Sequence, residues 1–244
     1  MSPQLHREMF QVFTDLNYDD DTRVVVLTGA GDSFCAGQDL KQYFLEREAQ
    51  PRRAQDEVRE FSRLWRGDLI RLLPKPVIAS INGWCFGGAF TVVTSCDIAI
   101  AAEEATFGLS EVNFGNFPGG DVTKVLTDHL QPKHALFYAM TGEPFTAREA
   151  ERIGLITKVV PRSELEKETM KIANKLVEKD PLALQAVKEA WHYTRGVSPE
   201  VGRELATLIS SRVKHTRGGR PGLKQFVDKK YRPGLGAYNW KEKG

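Results

Sequence analysis

The chain has 244 residues, 41% of them hydrophobic and 27% charged, which suits one globular domain with a full core. Its 34 basic and 32 acidic residues leave a formal charge of +2, so nothing in the balance points to a polyanion partner. No window holds about 18 uninterrupted apolar residues and the start lacks a charged segment leading into an apolar run, which argues against a membrane span or a signal peptide.

In chain order, residues 3–17 read as an amphipathic helix, with Pro3 in its first turn and Leu5, Met9, Val12, Phe13 and Leu16 at helical spacing. An acidic turn follows, then a buried strand from Arg23 to Thr28 that runs into Gly29-Ala30-Gly31. Residues 38–72 are charged and mostly helical, with an interruption near Pro51. A strand over 77–81 leads into the glycine-rich turn Asn82-Gly83-Trp84-Cys85-Phe86-Gly87-Gly88, and an apolar helix runs from about Gly87 to Thr94. Cys96 to Ala101 is a third strand and Thr106 to Leu109 is short and extended. Helices follow over 119–130, 132–140 and 147–153, the last ended by Gly154 before a strand at 155–160. The remainder is helical: 163–178, a helix opened by Pro181, 199–213 and, past Gly218-Gly219, 222–229. Strands alternating with helices imply an α/β domain with buried, mostly parallel strands. The helical C-terminal third has too little core to stand alone.

Two strand-then-glycine units carry the chemistry. Glycine lets backbone approach a ligand closely, and a helix start leaves amide hydrogens unpaired. Two such turns, ending at Phe34 to Leu40 and at Gly87-Gly88, could aim two amides at one oxygen. Glu111 sits among Phe107, Leu109, Val112 and Phe114, where desolvation would raise its pKa toward proton-transfer range. Read locally, a capping or solvated glutamate is the simpler role. Asp39 reads first as a helix cap. The Thr91 hydroxyl faces either the glycine turn or a backbone carbonyl, and Tyr43 either reaches a ligand or makes a plain amphipathic contact. The five histidines, His6, His129, His134, His192 and His215, show no paired spacing and read as surface residues. Cys35, Cys85 and Cys96, without CxxC spacing and in apolar settings, read as reduced thiols of a cytoplasmic protein. The basic end (Lys229, Lys230, Arg232, Lys241, Lys243) reads as a solvated tail. No phosphate loop, GxGxxG after the first strand or nucleophile elbow is present.

Taken together, Ala36-Gly37-Gln38-Asp39-Leu40, Asn82 to Gly88, Cys96-Asp97-Ile98-Ala99, Phe107-Gly108-Leu109-Ser110-Glu111 and Gly142 to Gly154 resemble the crotonase (enoyl-CoA hydratase/isomerase) superfamily in order and spacing. Within it, Asn82 to Phe90, Ala105 to Asn113 and Tyr231 to Tyr238 are most similar to the hydroxycinnamoyl-CoA (feruloyl-CoA) hydratase-lyases. The segment Met1 to Met9 resembles an internal stretch of that group, which implies that the family's first strands are missing here. The resemblance implies a spiral of stacked ββα units over residues 1–188, with a helical region over 189–244 that builds homotrimers, often paired into hexamers.

It further implies an acyl-CoA substrate, with coenzyme A present only as part of that substrate and no metal or other cofactor, because the thioester is the electron sink. The family's oxyanion donors fall on the backbone N–H groups of Gln38 and Gly88, and its acid/base carboxylate on Glu111. Substrate contacts fall on Ala36, Asp39, Leu40, Tyr43, Trp84, Gly87, Thr91 and Gly119. Gln38 departs from the usual apolar residue. Thr91 stands where two-glutamate hydratases carry a glutamate and the lyases a serine. The lyase tyrosine that binds the substrate phenol maps onto Tyr43, whereas a second one would fall near Leu205, where there is no phenol. The implied reaction adds water across the C2–C3 double bond of a 4-hydroxycinnamoyl thioester and then cleaves that bond in a retro-aldol step. Simple hydration or isomerisation of another acyl-CoA is the nearest alternative. An RNA-binding relative, suggested by Arg217-Gly218-Gly219-Arg220, and an inactive scaffold are the others.

Overall fold

A computed structural model describes residues 1–231 and 239–240. Of the stretch from Tyr231 to Tyr238, only Tyr231 falls within the described residues; Arg232, Lys241 and Lys243 of the basic end lie outside them too. Helix α1 (Pro3–Tyr18) starts where expected, its Ser2 hydroxyl accepting from the Leu5 amide. Strands β1 (Val25–Thr28) and β2 (Ser33–Cys35) follow. A π-helical segment over Leu40–Glu46 precedes α2 (Arg52–Arg63), which runs through a second π-helical stretch at Leu64–Leu69 into α3 (Ile70–Leu72). Then come β3 (Val77–Ile81), β4 (Trp84–Phe86), α4 (Ala89–Ser95), β5 (Ile98–Ala102) and β6 (Thr106–Gly108). A 3₁₀ turn over Ser110–Phe114 leads to α5 (Asp121–His129), α6 (Pro132–Thr141), β7 (Phe145–Thr146), α7 (Ala147–Arg152) and β8 (Lys158–Val160). Helices α8 (Leu165–Val177), α9 (Pro181–Thr194), α10 (Pro199–Thr216) and α11 (Pro221–Val227) complete the described chain.

The strands form two sheets, ordered β1-β3-β5-β8 and β2-β4-β6-β7. The first is all parallel, with Val25 opposite Val77 and Ile78 opposite Ile98. The second is parallel except for the β6–β7 pair. Successive strand pairs β1–β2, β3–β4 and β5–β6 step between the sheets, so each strand, corner and second strand stacks on the last. This is the expected spiral. The short strands β2, β4 and β7 were not anticipated. They have two or three residues and hold glycine-flanked or turn-like sequence, so no period of two develops; pairing with a neighbouring turn of the spiral makes them strands.

Strand β3 is buried at every position because both faces of its sheet are covered. Val77, Ala79 and Ile81 face the main core with Phe13, Ile70, Phe90 and Phe107, while Ile78 joins Ile100, Val160 and Leu165 under α8. Asn82 staples the corners of successive turns. Its side-chain amide donates to the Gly29 and Gly31 carbonyls, each at 2.9 Å, and its oxygen accepts from the Gly29 amide at 3.2 Å. At the other end of β3, Asp97 accepts from the Val77 amide at 2.7 Å and from Lys188 of α9 at 2.8 Å. Asp97 therefore ties the C-terminal helices to the sheet.

Candidate active site

The corner between β4 and α4 decides where the site lies. The Gly87 amide donates to the Gly108 carbonyl at 3.0 Å, which joins the glycine turn to β6. The Gly88 amide comes next, caps α4, and has no protein acceptor among the described residues. Gly87 has φ +53, and a Cβ there would come within 2.8 Å of Glu111 Oε1, so only glycine brings this backbone against the carboxylate. At the first turn, Gly37 has φ +95 and a Cβ on it would press on the Phe86 carbonyl at 3.2 Å. The Gln38 amide beyond it is likewise without a protein acceptor among the described residues.

Gln38 and Gly88 line one cavity of about 460 Å³. Of the site residues anticipated from sequence, Ala36, Leu40, Tyr43, Gly87, Glu111 and Gly119 line it as well. Three anticipated contacts do not. Asp39 accepts from the Gln42 amide at 2.7 Å and caps the π-helical segment. Trp84 is exposed and stands edge-on to Phe86. Thr91 is fully buried in α4.

Glu111 is the second residue of the 3₁₀ turn after β6. Burial raises its carboxyl above the ordinary glutamate value of 4.5, and its Oε2 is buried without a hydrogen-bond partner among the described residues. Thr91 Oγ1 is another buried oxygen without a partner among the described residues. A desolvated carboxyl with a vacant acceptor, next to a glycine turn whose amide is unspent, can exchange protons with a bound carbonyl compound.

The cavity also contains residues that the sequence did not single out. Arg66 is only 7% exposed, and its guanidinium donates to the Ser62 carbonyl at 2.9 Å and to the Gly88 carbonyl at 3.2 Å. Arg47 donates to the Tyr43 carbonyl at 2.6 Å, and its guanidinium carbon lies 4.6 Å from the centre of the Tyr43 ring. Tyr43 and Arg66 both lie in π-helical stretches, which shift the helical register and turn residues of a charged run inward. His6, expected on the surface, is fully buried. Its Nδ1 accepts from the Trp65 indole at 2.9 Å and its Nε2 lies 2.8 Å from Gln38 Oε1. Burial lowers its pKa to about 4, since the imidazolium would be desolvated. The polar contacts of His6 come from elements distant in sequence, so amphipathic spacing carried no sign of them.

The profile of the enoyl-CoA hydratase/isomerase family matches residues 1–233. A hydroxycinnamoyl-CoA hydratase-lyase from Pseudomonas fluorescens is 44% identical over 98% of this chain and 88% of its own length. An (E)-benzylidenesuccinyl-CoA hydratase from Thauera aromatica is 30% identical over 94% of this chain and 88% of its own. Among solved structures, an enoyl-CoA hydratase from Bacillus anthracis superposes with a TM-score of 0.84 at 34% identity, covering 94% of this chain and 87% of that one. With the family profile over nearly the whole chain and a matching spiral of paired strands, this chain belongs to the enoyl-CoA hydratase/isomerase (crotonase) family, as an enzyme of the hydratase and lyase type.

Proposed function

We propose that the enzyme hydrates 4-hydroxycinnamoyl-CoA thioesters such as feruloyl-CoA and cleaves the product to an aromatic aldehyde and acetyl-CoA. The observation that carries this reading is the single desolvated carboxylate, Glu111, against Gly87 in a cavity that Tyr43 also lines. The 44% identity to a hydratase-lyase supports the choice of acyl group. The thioester oxygen sits between the Gln38 and Gly88 amides. Glu111 assists attack of water on C3, and charge moves through the double bond onto that oxygen as an enolate. Each amide donor to such an oxyanion is worth about 2.7–4 kcal/mol. Glu111 returns the proton taken from water to C2, which completes the 3-hydroxyacyl thioester and leaves the carboxylate free again. Glu111 then takes the 3-hydroxyl proton, the C3–O bond becomes the aldehyde carbonyl as the C2–C3 bond breaks, and the acetyl-CoA enolate is held in the same hole until C2 is protonated from Glu111. Tyr43 binds the ring hydroxyl.

The reading includes self-association into trimers or hexamers, which size-exclusion chromatography with light scattering tests. Incubation with feruloyl-, p-coumaroyl- and crotonyl-CoA, with products identified by mass, tests the chemistry. Vanillin and acetyl-CoA from feruloyl-CoA are the expected products. Hydrated crotonyl-CoA with no aldehyde from either aryl substrate would replace the lyase by a simple hydratase. The RNA-binding alternative has less to stand on, because Arg217 of the Arg-Gly-Gly-Arg element is committed to an ion pair with Asp180.

A further inference from the structure

Arg66 is a buried cation that forms no ion pair among the described residues; its side-chain hydrogen bonds go to the Ser62 and Gly88 carbonyls, and Asp121 acts on it only electrostatically, without an ion-pair contact. A guanidinium stays protonated at any physiological pH, so the charge persists. Such a group costs free energy to bury unless something negative faces it during function. Its Nη1 lies 3.0 Å from the point where a Cβ on Gly88 would sit, and Gln38 Nε2 lies 3.6 Å from the same point. Two donor groups thus meet beside the amide already assigned to the thioester oxygen.

The orientation of the Gln38 carboxamide follows from its neighbours. An indole N–H can only donate, so Trp65 makes His6 Nδ1 the acceptor. The proton of the neutral ring then sits on Nε2 and is donated to Gln38 Oε1. This turns the Gln38 NH₂ the other way, toward Ser62 Oγ at 3.5 Å and toward Gly88.

We propose that Arg66 and the Gln38 side-chain amide form a second, donor-only layer of the oxyanion hole, which stabilises negative charge on the thioester oxygen beyond what the two backbone amides supply, with His6 and Trp65 as positioning residues for Gln38. The inference rests on the thioester-enolate reading above. It places a guanidinium charge beside the two backbone amides, where low dielectric strengthens its effect.

The test is the absorption of cinnamoyl-CoA bound to the Glu111→Gln protein, because polarising the carbonyl shifts the enoyl-thioester band to the red without turnover. In that background Arg66→Met loses most of the shift, Arg66→Lys keeps most of it, and Gln38→Met loses part. With Glu111 intact, Arg66→Met lowers kcat about 10²-fold with KM little changed. His6→Leu reproduces the loss of Gln38→Met, and His6→Gln, which can still accept from Trp65 and donate to Gln38, restores it. A folded Arg66→Met protein with the full shift and full kcat overturns the inference. So does a variant that changes only the preference between neutral and carboxylate-bearing acyl groups, which would make Arg66 a specificity group. If Arg66→Met does not fold, Gln38→Met decides: an undiminished shift overturns the proposal. Absence of any shift with the Glu111→Gln protein, together with no thioester hydration by the unmutated enzyme, would reject the enzyme reading itself, and the second layer with it.

Discussion

Strand β3 has polar groups buried at both of its ends, and the two ends are built on opposite terms. At the N-terminal end the Val77 amide, Asp97, Lys188 and the Lys75 carbonyl satisfy one another, although the nearby Ser95 hydroxyl is buried without a partner among the described residues. Past the C-terminal end, through the corner and β4, lie, among the described residues, a carboxyl oxygen of Glu111 without a partner, an Arg66 without an ion-pair partner, and two unspent amides. Buried polar groups in folded proteins are nearly always satisfied, so orphans gathered in one place need a reason. On the proposed function the open end is kept for a ligand, while the closed end is structural. Stability and activity should therefore separate between the two ends.

The sharpest way to break that contrast is at Glu111. Glu111→Gln should lower turnover by about 10²–10⁴-fold while leaving the thermal midpoint unchanged or raised, since a desolvated carboxyl is replaced by a neutral group. A midpoint that falls along with activity would make Glu111 structural. The mirror experiment is Lys188→Met, which strands Asp97 in the interior. It should cost about 3–5 kcal/mol in urea unfolding, with activity per folded molecule retained.

A third measurement concerns pH. His6 holds a folded pKa of about 4 against 6.5 when unfolded, so the unfolded chain binds the extra proton between those values. Stability should be intact above pH 6.5 and fall as pH drops toward 4, by about 3 kcal/mol in all, and His6→Gln should remove this part of the acid sensitivity. Glu111 shifts the other way. Its raised pKa moves the acid limb of kcat above the ordinary glutamate value of 4.5 if the carboxylate is the acting form. A limb at or below that value would mean that the carboxyl titrates as if solvated. Next in size, Asn82→Ala should cost about 1–3 kcal/mol, because the Gly29 groups lose their partners at a buried corner. The smallest effect is expected from Tyr43→Phe, which should weaken the preference for 4-hydroxylated over unsubstituted rings with little change in stability. Equal use of cinnamoyl- and feruloyl-CoA by the unmutated enzyme would remove the assignment.

Much of the fold could be read from residue order. The helical periodicity of α1, the apolar run of β3 and the prolines opening α9 and α10 mark elements whose bounds agree with the structure to within a few residues. These signals are local: a repeat of apolar positions, or a residue that cannot continue a helix. Strands β2, β4 and β7 carry no such signal, since two or three residues acquire strand geometry only when a neighbouring turn of the spiral supplies partners.

The site divides in the same way. The glycine turns could be named from sequence, because backbone freedom leaves a compositional mark; Glu111, which reads locally as a capping or solvated residue, is singled out as acid/base by the family resemblance. In the structure Gly87 has a φ of +53 and the Glu111 carboxyl is desolvated. Arg66, Arg47 and His6 could not be named. In the chain Arg66 and Arg47 look like parts of a charged, solvated helix, and His6 like a surface residue of an amphipathic one. Only packing of α1 and the π-helical stretches against the glycine turn buries them, strips their water and makes their hydrogen bonds decisive. Chain order thus specifies which groups can do chemistry; which of them lose their solvent, and what they then face, is settled by contacts between segments far apart in sequence.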